Sequence, residues 1–106
     1  HNLALRRTLE VLVRHAAALA PEARDAIVRY AKLVWIHTGP YHSLTARKFT
    51  LDLSREALAA AVHAVAAAGG RFPVRDGEGL EALIDRLAPL LFDAAVEPMV
   101  TMHSLT

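Results

Sequence analysis

The chain has no cysteine, few aromatic residues and no long uninterrupted apolar run. Without cysteine it can form no disulfide framework and no thiolate metal site or nucleophile. Aromatic residues make up only 6% of the 106 residues, and alanine and leucine dominate the 54% that are hydrophobic, which favours helix over strand. The run from 57 to 68 contains His63 and is too short to cross a bilayer, which needs about 20 residues.

Neither sign of charge is in clear excess, since 12 Lys and Arg face 11 Asp and Glu. The basic residues are interleaved with acids instead of clustering, so nucleic acid is not expected as a partner. No membrane segment or targeting signal is expected either, and the lack of cysteine fits a cytoplasmic protein. The first residue is not methionine, which predicts a trimmed chain or a fragment.

Apolar spacing predicts an all-α fold, a small bundle of about four helices formed by residues 1–106 as one domain or part of one. The first helix is expected over 3–20 and the second from Pro21 to about Gly39. Ser54 caps a third that stops at 69–70, and the fourth starts near 79, with a kink at Pro89 and a bend at Pro98. Residues 38–53 show no period and predict one long ordered loop, a feature that is often functional.

The polar residues form no complete catalytic or metal site. His37 and His42 are separated by a Gly-Pro turn and lack further ligands, so ordinary loop histidines are the better interpretation. His15 and His63 are expected to be exposed or hydrogen-bonded within helices. The late carboxylates are most simply a solvated helix face, and the glycines around residue 78 a helix-start turn. These carboxylates are Asp85, Asp93 and Glu97.

The loop from 37 to 49 is the part of the sequence with the strongest functional signal. It combines turn residues with polar and aromatic side chains. One interpretation is a structural loop with Phe49 packed against the bundle. The other is a binding rim whose backbone groups and hydroxyls hold an extended peptide or another polar ligand. Its candidate binding residues are Gly39, Tyr41, Ser43, Leu44, Lys48 and Phe49.

The spacing of Gly39, Tyr41, Ser43, Lys48 and Phe49 resembles a motif of the dipeptidyl-peptidase III family of zinc metallopeptidases, Gly-x-Tyr-x-Ser-x-x-x-x-Lys-Phe. The flanking stretches 30–35, 51–62 and 83–100 are similar to that family as well. Its members remove dipeptides from the amino end of short peptides, using zinc held by a His-Glu-x-x-x-His helix and a further glutamate. None of those elements occurs here. The resemblance therefore implies a helical segment of the lobe opposite the zinc, with the loop near the substrate cleft.

Three positions depart from the family pattern. Leu44 stands where an aromatic residue often contacts substrate, Thr45-Ala46 replaces a frequent Gly-Asp, and His37 replaces a common asparagine. Leucine at position 44 would make a smaller apolar surface. These departures indicate a divergent branch.

Two functions from different classes follow. The first is a non-catalytic segment of a dipeptidyl-peptidase-III-like peptidase that contributes to the wall of the peptide-binding cleft. Its partners would be the rest of the parent peptidase and short peptides; zinc would belong to the parent, and the segment alone would be inactive and hold no cofactor. The alternative is a free-standing helical module for protein interaction or self-assembly. The amount of exposed apolar surface distinguishes these two functions. A segment excised from a larger peptidase should expose an apolar patch and could self-associate.

Overall fold

A computed structural model describes residues 2–36 and 50–93 of the chain. Within these ranges the fold is all-α, with four helices and no strand, as the sequence predicted. Of the predicted loop 38–53, only residues 50–53 lie within the described part of the chain. The elements are α1 (Asn2–Arg14), a 3-10 turn (Ala16–Ala18), α2 (Pro21–Ile36), α3 (Arg55–Ala67) and α4 (Leu80–Phe92).

The first helix is shorter than the predicted 3–20. Backbone bonding changes to a tighter pattern after His15, since Ala18 N–H donates to the His15 carbonyl at 2.9 Å and Leu19 N–H to the Ala16 carbonyl at 3.0 Å. Leu19 is then fully extended in its backbone. Pro21 disfavours helical geometry only in the residue before it, so it separates Ala20 from α2 but does not set the end of α1 at Arg14.

One contiguous core joins all four helices. The apolar spacing that predicts the helices also predicts their inner faces, and these are buried except at Ala16 and Leu80, which are half-buried. Helix α1 contacts each of the other three helices. Tyr30 lies in this core, where burial raises the pKa of its hydroxyl to about 12. The most completely buried large side chains are Leu9, Leu12, Ile27, Val34, Val62, Val65, Leu83, Ile84 and Leu87.

Both ends of α3 follow the predicted signals. The Ser54 hydroxyl accepts a hydrogen bond from the Ala57 N–H at 3.0 Å and so caps the first turn. After the helix, Gly69 takes a positive φ of 98°. Gly70 N–H then donates back to the Val65 carbonyl at 2.8 Å, which closes the last turn and stops the helix.

The segment that leads into α3 is fixed against the end of α4. Leu51 is buried, and its N–H donates to the Leu91 carbonyl at 2.7 Å. This bond satisfies a carbonyl in the last turn of α4 that has no partner within the helix. Helix α4 continues through Pro89 to Phe92. Pro98 lies outside the described residues.

Candidate functional site

All six candidate binding residues of the loop lie outside the described residues. These are Gly39, Tyr41, Ser43, Leu44, Lys48 and Phe49, and the histidines at 37 and 42 fall in the same stretch. What the structure does describe is the chain on either side of this loop. Val34 near the end of α2 is 1% exposed, and Leu51 after the loop is 4% exposed. Both flanks are therefore anchored in the common core.

Of the two described histidines, His15 makes the local hydrogen bond that was expected, whereas His63 is exposed as expected but bonds across to another helix. The His15 ring lies with Nδ1 3.0 Å from the Val11 carbonyl oxygen, one turn back along the chain. The His63 ring lies with Nε2 2.7 Å from a carboxylate oxygen of Glu81, so it links α3 to α4 at the surface. Neither histidine meets a second potential metal ligand in these contacts.

Metal-binding geometry is absent from residues 2–36 and 50–93, where no group of three or more His, Asp or Glu side chains converges. The described residues therefore do not fit a zinc site. In the late carboxylate row, exposed Asp85 forms an ion pair with Arg55 across the α3–α4 seam. Asp93 is also exposed, and Glu97 lies outside the described part.

The turn before α4 holds an ion pair that the sequence analysis missed. Both carboxylate oxygens of Glu78 accept bonds from Arg86, one from Nη2 at 2.8 Å and one from Nε at 3.1 Å. Glu78 also accepts the Arg75 N–H at 2.9 Å. The bond from Arg86 first, and then the bond from the Arg75 backbone, lower the pKa of Glu78 to about 2. The pair joins the turn to α4. Helical spacing does not signal it, because Glu78 lies before the helix and eight residues from Arg86.

A second missed feature is an open groove of about 720 Å³ between the start of α2 and α3. Its floor is one face of α3 made of alanines spaced three and four residues apart, and leucines form its sides. Ala60 on this face is exposed and Ala61 is buried. The lining residues are Leu19, Ala20, Glu22, Ala23, Leu51, Asp52, Leu53, Ser54, Ala57, Ala60, Ala61 and Ala64.

The groove is acidic at its rim. Glu22 and Asp52 line it, both are exposed, and neither forms an ion pair or side-chain hydrogen bond within the described chain. No Lys, Arg or His is among the lining residues. The groove therefore combines a smooth apolar floor with two carboxylates that lack a counter-charge. The spacing of the alanines was visible in the sequence, but the acids that join them come from two other segments.

Comparison with known proteins adds no relative, because no family model, no curated protein and no solved structure matches this chain. Among the helices of the described residues, none has the length and apolar character required to traverse a bilayer.

Proposed function

We propose that this chain is a non-catalytic helical segment of a dipeptidyl-peptidase-III-like zinc metallopeptidase and contributes to the wall of its peptide-binding cleft. The observation that carries the proposal is the spacing of Gly39, Tyr41, Ser43, Lys48 and Phe49 in the loop between α2 and α3. This is the densest group of polar and aromatic residues in the chain.

The flanks of the loop suit this role. A binding loop works best when rigid elements hold both of its ends, because side chains presented to a ligand must keep their positions. Here α2 is anchored by buried Val34, and the returning chain is anchored by buried Leu51 with its backbone bond to Leu91. Both anchors support a loop that can present side chains to a peptide.

The loop residues divide by chemistry. Leu44 and Phe49 would supply apolar contact with a peptide side chain, and Tyr41, Ser43 and Lys48 would supply polar anchoring or support for the loop itself. Gly39 would provide a turn after α2. In this proposal the zinc ligands belong to the rest of the parent peptidase, so the chain's part in peptide cleavage would be to position substrate.

Two measurements test the proposal at different levels. The gene should encode a His-Glu-x-x-x-His helix beyond the codon for Thr106, and a complete reading frame without one contradicts the proposal. The purified 106-residue chain should neither bind zinc tightly nor hydrolyse a dipeptidyl-arylamide. Stoichiometric zinc together with turnover in the purified chain would show that the catalytic part is not elsewhere.

A substitution in the complete peptidase tests the cleft wall itself. Tyr41→Ala should raise KM for a short peptide by about three- to tenfold, which corresponds to the loss of one polar contact. Tyr41→Phe separates the hydroxyl from the ring, and Tyr30→Phe is a matched control in the core of α2. If Tyr41→Ala lowers stability but leaves KM and kcat unchanged, the loop is structural only.

A further inference from the structure

The groove between α2 and α3 is shaped to accept a helix. The alanines at 57, 60, 61 and 64 share one face of α3, and side chains of one carbon allow a neighbouring helix to approach closely. Leu19, Leu51 and Leu53 give the groove apolar sides. A helix that lies in such a groove would bury an apolar stripe against the alanine face.

The charges at the groove define the chemistry of its occupant. Glu22 and Asp52 have no counter-charge in the described chain, and like charges placed opposite them would be repelled. A fitting helix therefore carries exposed apolar side chains together with arginine or lysine.

The outer face of α1 in this same chain meets that description. Leu3 is 58% exposed and Val13 is 37% exposed, and they are two of the four exposed large apolar residues of the described chain. Arg7 and Arg14 lie on the same outer face, both are exposed, and neither forms an ion pair within the described chain. Glu10 is the one acid on this face.

The other three helices match the groove less well than α1 does. Helix α2 forms part of the groove wall and exposes only Leu33 among its large apolar residues whose side chains are described. Helix α4 presents Glu81 and Asp85 on its exposed side, where His63 and Arg55 already contact them, and its one cation, Arg86, pairs with Glu78. Helix α3 forms the floor.

We propose that the chain binds a second copy of itself, with the outer face of α1 from one molecule seated in the α2–α3 groove of the next. Arg7 and Arg14 then face the rim carboxylates Glu22 and Asp52. The two surfaces differ, so each bound pair keeps one free groove and one free α1 face. Association therefore continues into a short chain or closes into a ring.

The contact is small, and we expect it to be weak. Thirteen residues of α1 span about 20 Å, and one helix in one groove buries less than the roughly 800 Å² per partner of a stable complex. The weight-average mass should therefore rise between about 10 µM and about 1 mM. Raising the ionic strength from about 0.02 M to about 0.5 M should reverse the rise, because exposed charges are screened.

Charge reversal with a matched control identifies the α1 face. Arg7→Glu/Arg14→Glu should weaken association at least about tenfold. Arg29→Glu/Lys32→Glu makes the same change in net charge on the exposed side of α2 and should leave association close to that of the unchanged chain. Far-UV circular dichroism verifies that both variants remain helical.

A mixing experiment tests the pairing of the two surfaces. Ala60→Arg places a long cation in the groove floor at an exposed position and should abolish self-association while sparing α1. The Arg7→Glu/Arg14→Glu chain keeps its groove, and the Ala60→Arg chain keeps its α1 face. Each should be monomeric alone.

Mixing these two chains should restore a 1:1 complex that grows no further, because only one intact groove and one intact α1 face then meet. Sedimentation equilibrium measures its mass, and NMR shifts of the labelled groove residues report its location. A chain that is monomeric at about 1 mM and low salt overturns the proposal. So does equal weakening by the two charge-reversed variants, or a mixture that stays monomeric. The described helices alone carry this inference, so it is independent of the proposed peptidase role.

Discussion

The α1–α2 pair and the α3–α4 pair share one core but use their charged side chains differently. Residues 2–36 carry the cations Arg6, Arg7, Arg14, Arg24, Arg29 and Lys32 and the acids Glu10, Glu22 and Asp25, and no ion pair forms among them. Residues 50–93 carry four cations and seven acids, and the Arg55–Asp85 and Glu78–Arg86 ion pairs and the His63–Glu81 contact of the described chain all lie there.

The two halves therefore differ in whether their charged side chains join elements of the fold or are available to bind another molecule. The α3–α4 half uses side-chain pairs to join its elements, as Arg55 with Asp85 and His63 with Glu81 show. The α1–α2 half depends on apolar packing, and its charges form no ion pair within residues 2–36 and 50–93. Exposed pairs contribute only about 0–1 kcal/mol each, so the apolar core dominates stability in both halves.

Truncation of a core side chain should lower the free energy of unfolding the most, and by a similar amount in both halves. Leu12 in α1 and Leu83 in α4 are each fully buried, at 0% exposure, within one cluster. Leu12→Ala and Leu83→Ala should each lower the free energy of unfolding by about 2–5 kcal/mol, because each leaves a cavity. Urea titration followed by circular dichroism measures this loss.

Amide hydrogen exchange then asks whether the two halves unfold as one unit. Leu12→Ala should accelerate exchange in α3 and α4 as well as in α1, since one core joins them. Leu3→Ala, at a position 58% exposed, should change stability by no more than about 0.5 kcal/mol. Unchanged exchange in α3 and α4 would mean that the two pairs fold independently.

Gly70 lies where the two halves touch, so adding a methyl group there should cause the next largest loss of stability. A Cβ at this position would press on the Val65 side chain and lie 3.0 Å from Cγ1 of Val11 in α1. Gly70→Ala should therefore lower the free energy of unfolding by about 1–3 kcal/mol through overpacking. Gly79→Ala provides a comparison without a steric clash, because nothing lies within 4 Å of its Cβ and only the preference for glycine over alanine at a helix N-cap is lost. A Gly70→Ala chain as stable as the control would show that α1 and α3 can separate without cost.

The sequence predicted the helices and their inner faces because both depend on local spacing. Apolar residues that recur at three- and four-residue steps share one face of a helix. This pattern is enough to place Leu58 and Leu87 in a core. The early end of α1 was missed because the expectation followed the apolar stripe through to Leu19, and such a stripe does not show where α-helical bonding changes to a 3-10 turn. The groove could not be predicted, since Glu22, Asp52 and the α3 alanines converge only in the folded chain.

Lowering the pH should reveal how much the Glu78–Arg86 ion pair of the α3–α4 half contributes to stability. The bond from Arg86 lowers the pKa of Glu78 to about 2, against 4.5 for an ordinary glutamate. The pair therefore contributes fully above pH 4.5, and its contribution is lost as pH falls from there towards 2. Glu78→Gln should lower Tm at pH 7 and make Tm less sensitive to pH over that interval.

Arg86→Met removes the other member of this ion pair and so tests the same interaction a second time. It should flatten the acid dependence as Glu78→Gln does, and the double variant should add little, because both single changes remove one interaction. Both side chains keep some contact with water, at 13% and 16% exposure, so the loss should be smaller than that in the core. An acid profile of Glu78→Gln that parallels the unchanged chain would assign the acid sensitivity to other carboxylates.

The smallest effect should come from making the start of α4 resemble the start of α3. Ser54 caps α3 with its hydroxyl, whereas Gly79 precedes α4 in a similar extended conformation and has no side chain to offer. Gly79→Ser should raise the free energy of unfolding by a few tenths of a kcal/mol, and Ser54→Gly should lower it by a similar amount. Thermal unfolding of both variants measures the pair of shifts. If Gly79→Ser destabilises the chain, the first turn of α4 does not accept a hydroxyl cap, and the difference between the two helix starts reflects more than the missing side chain.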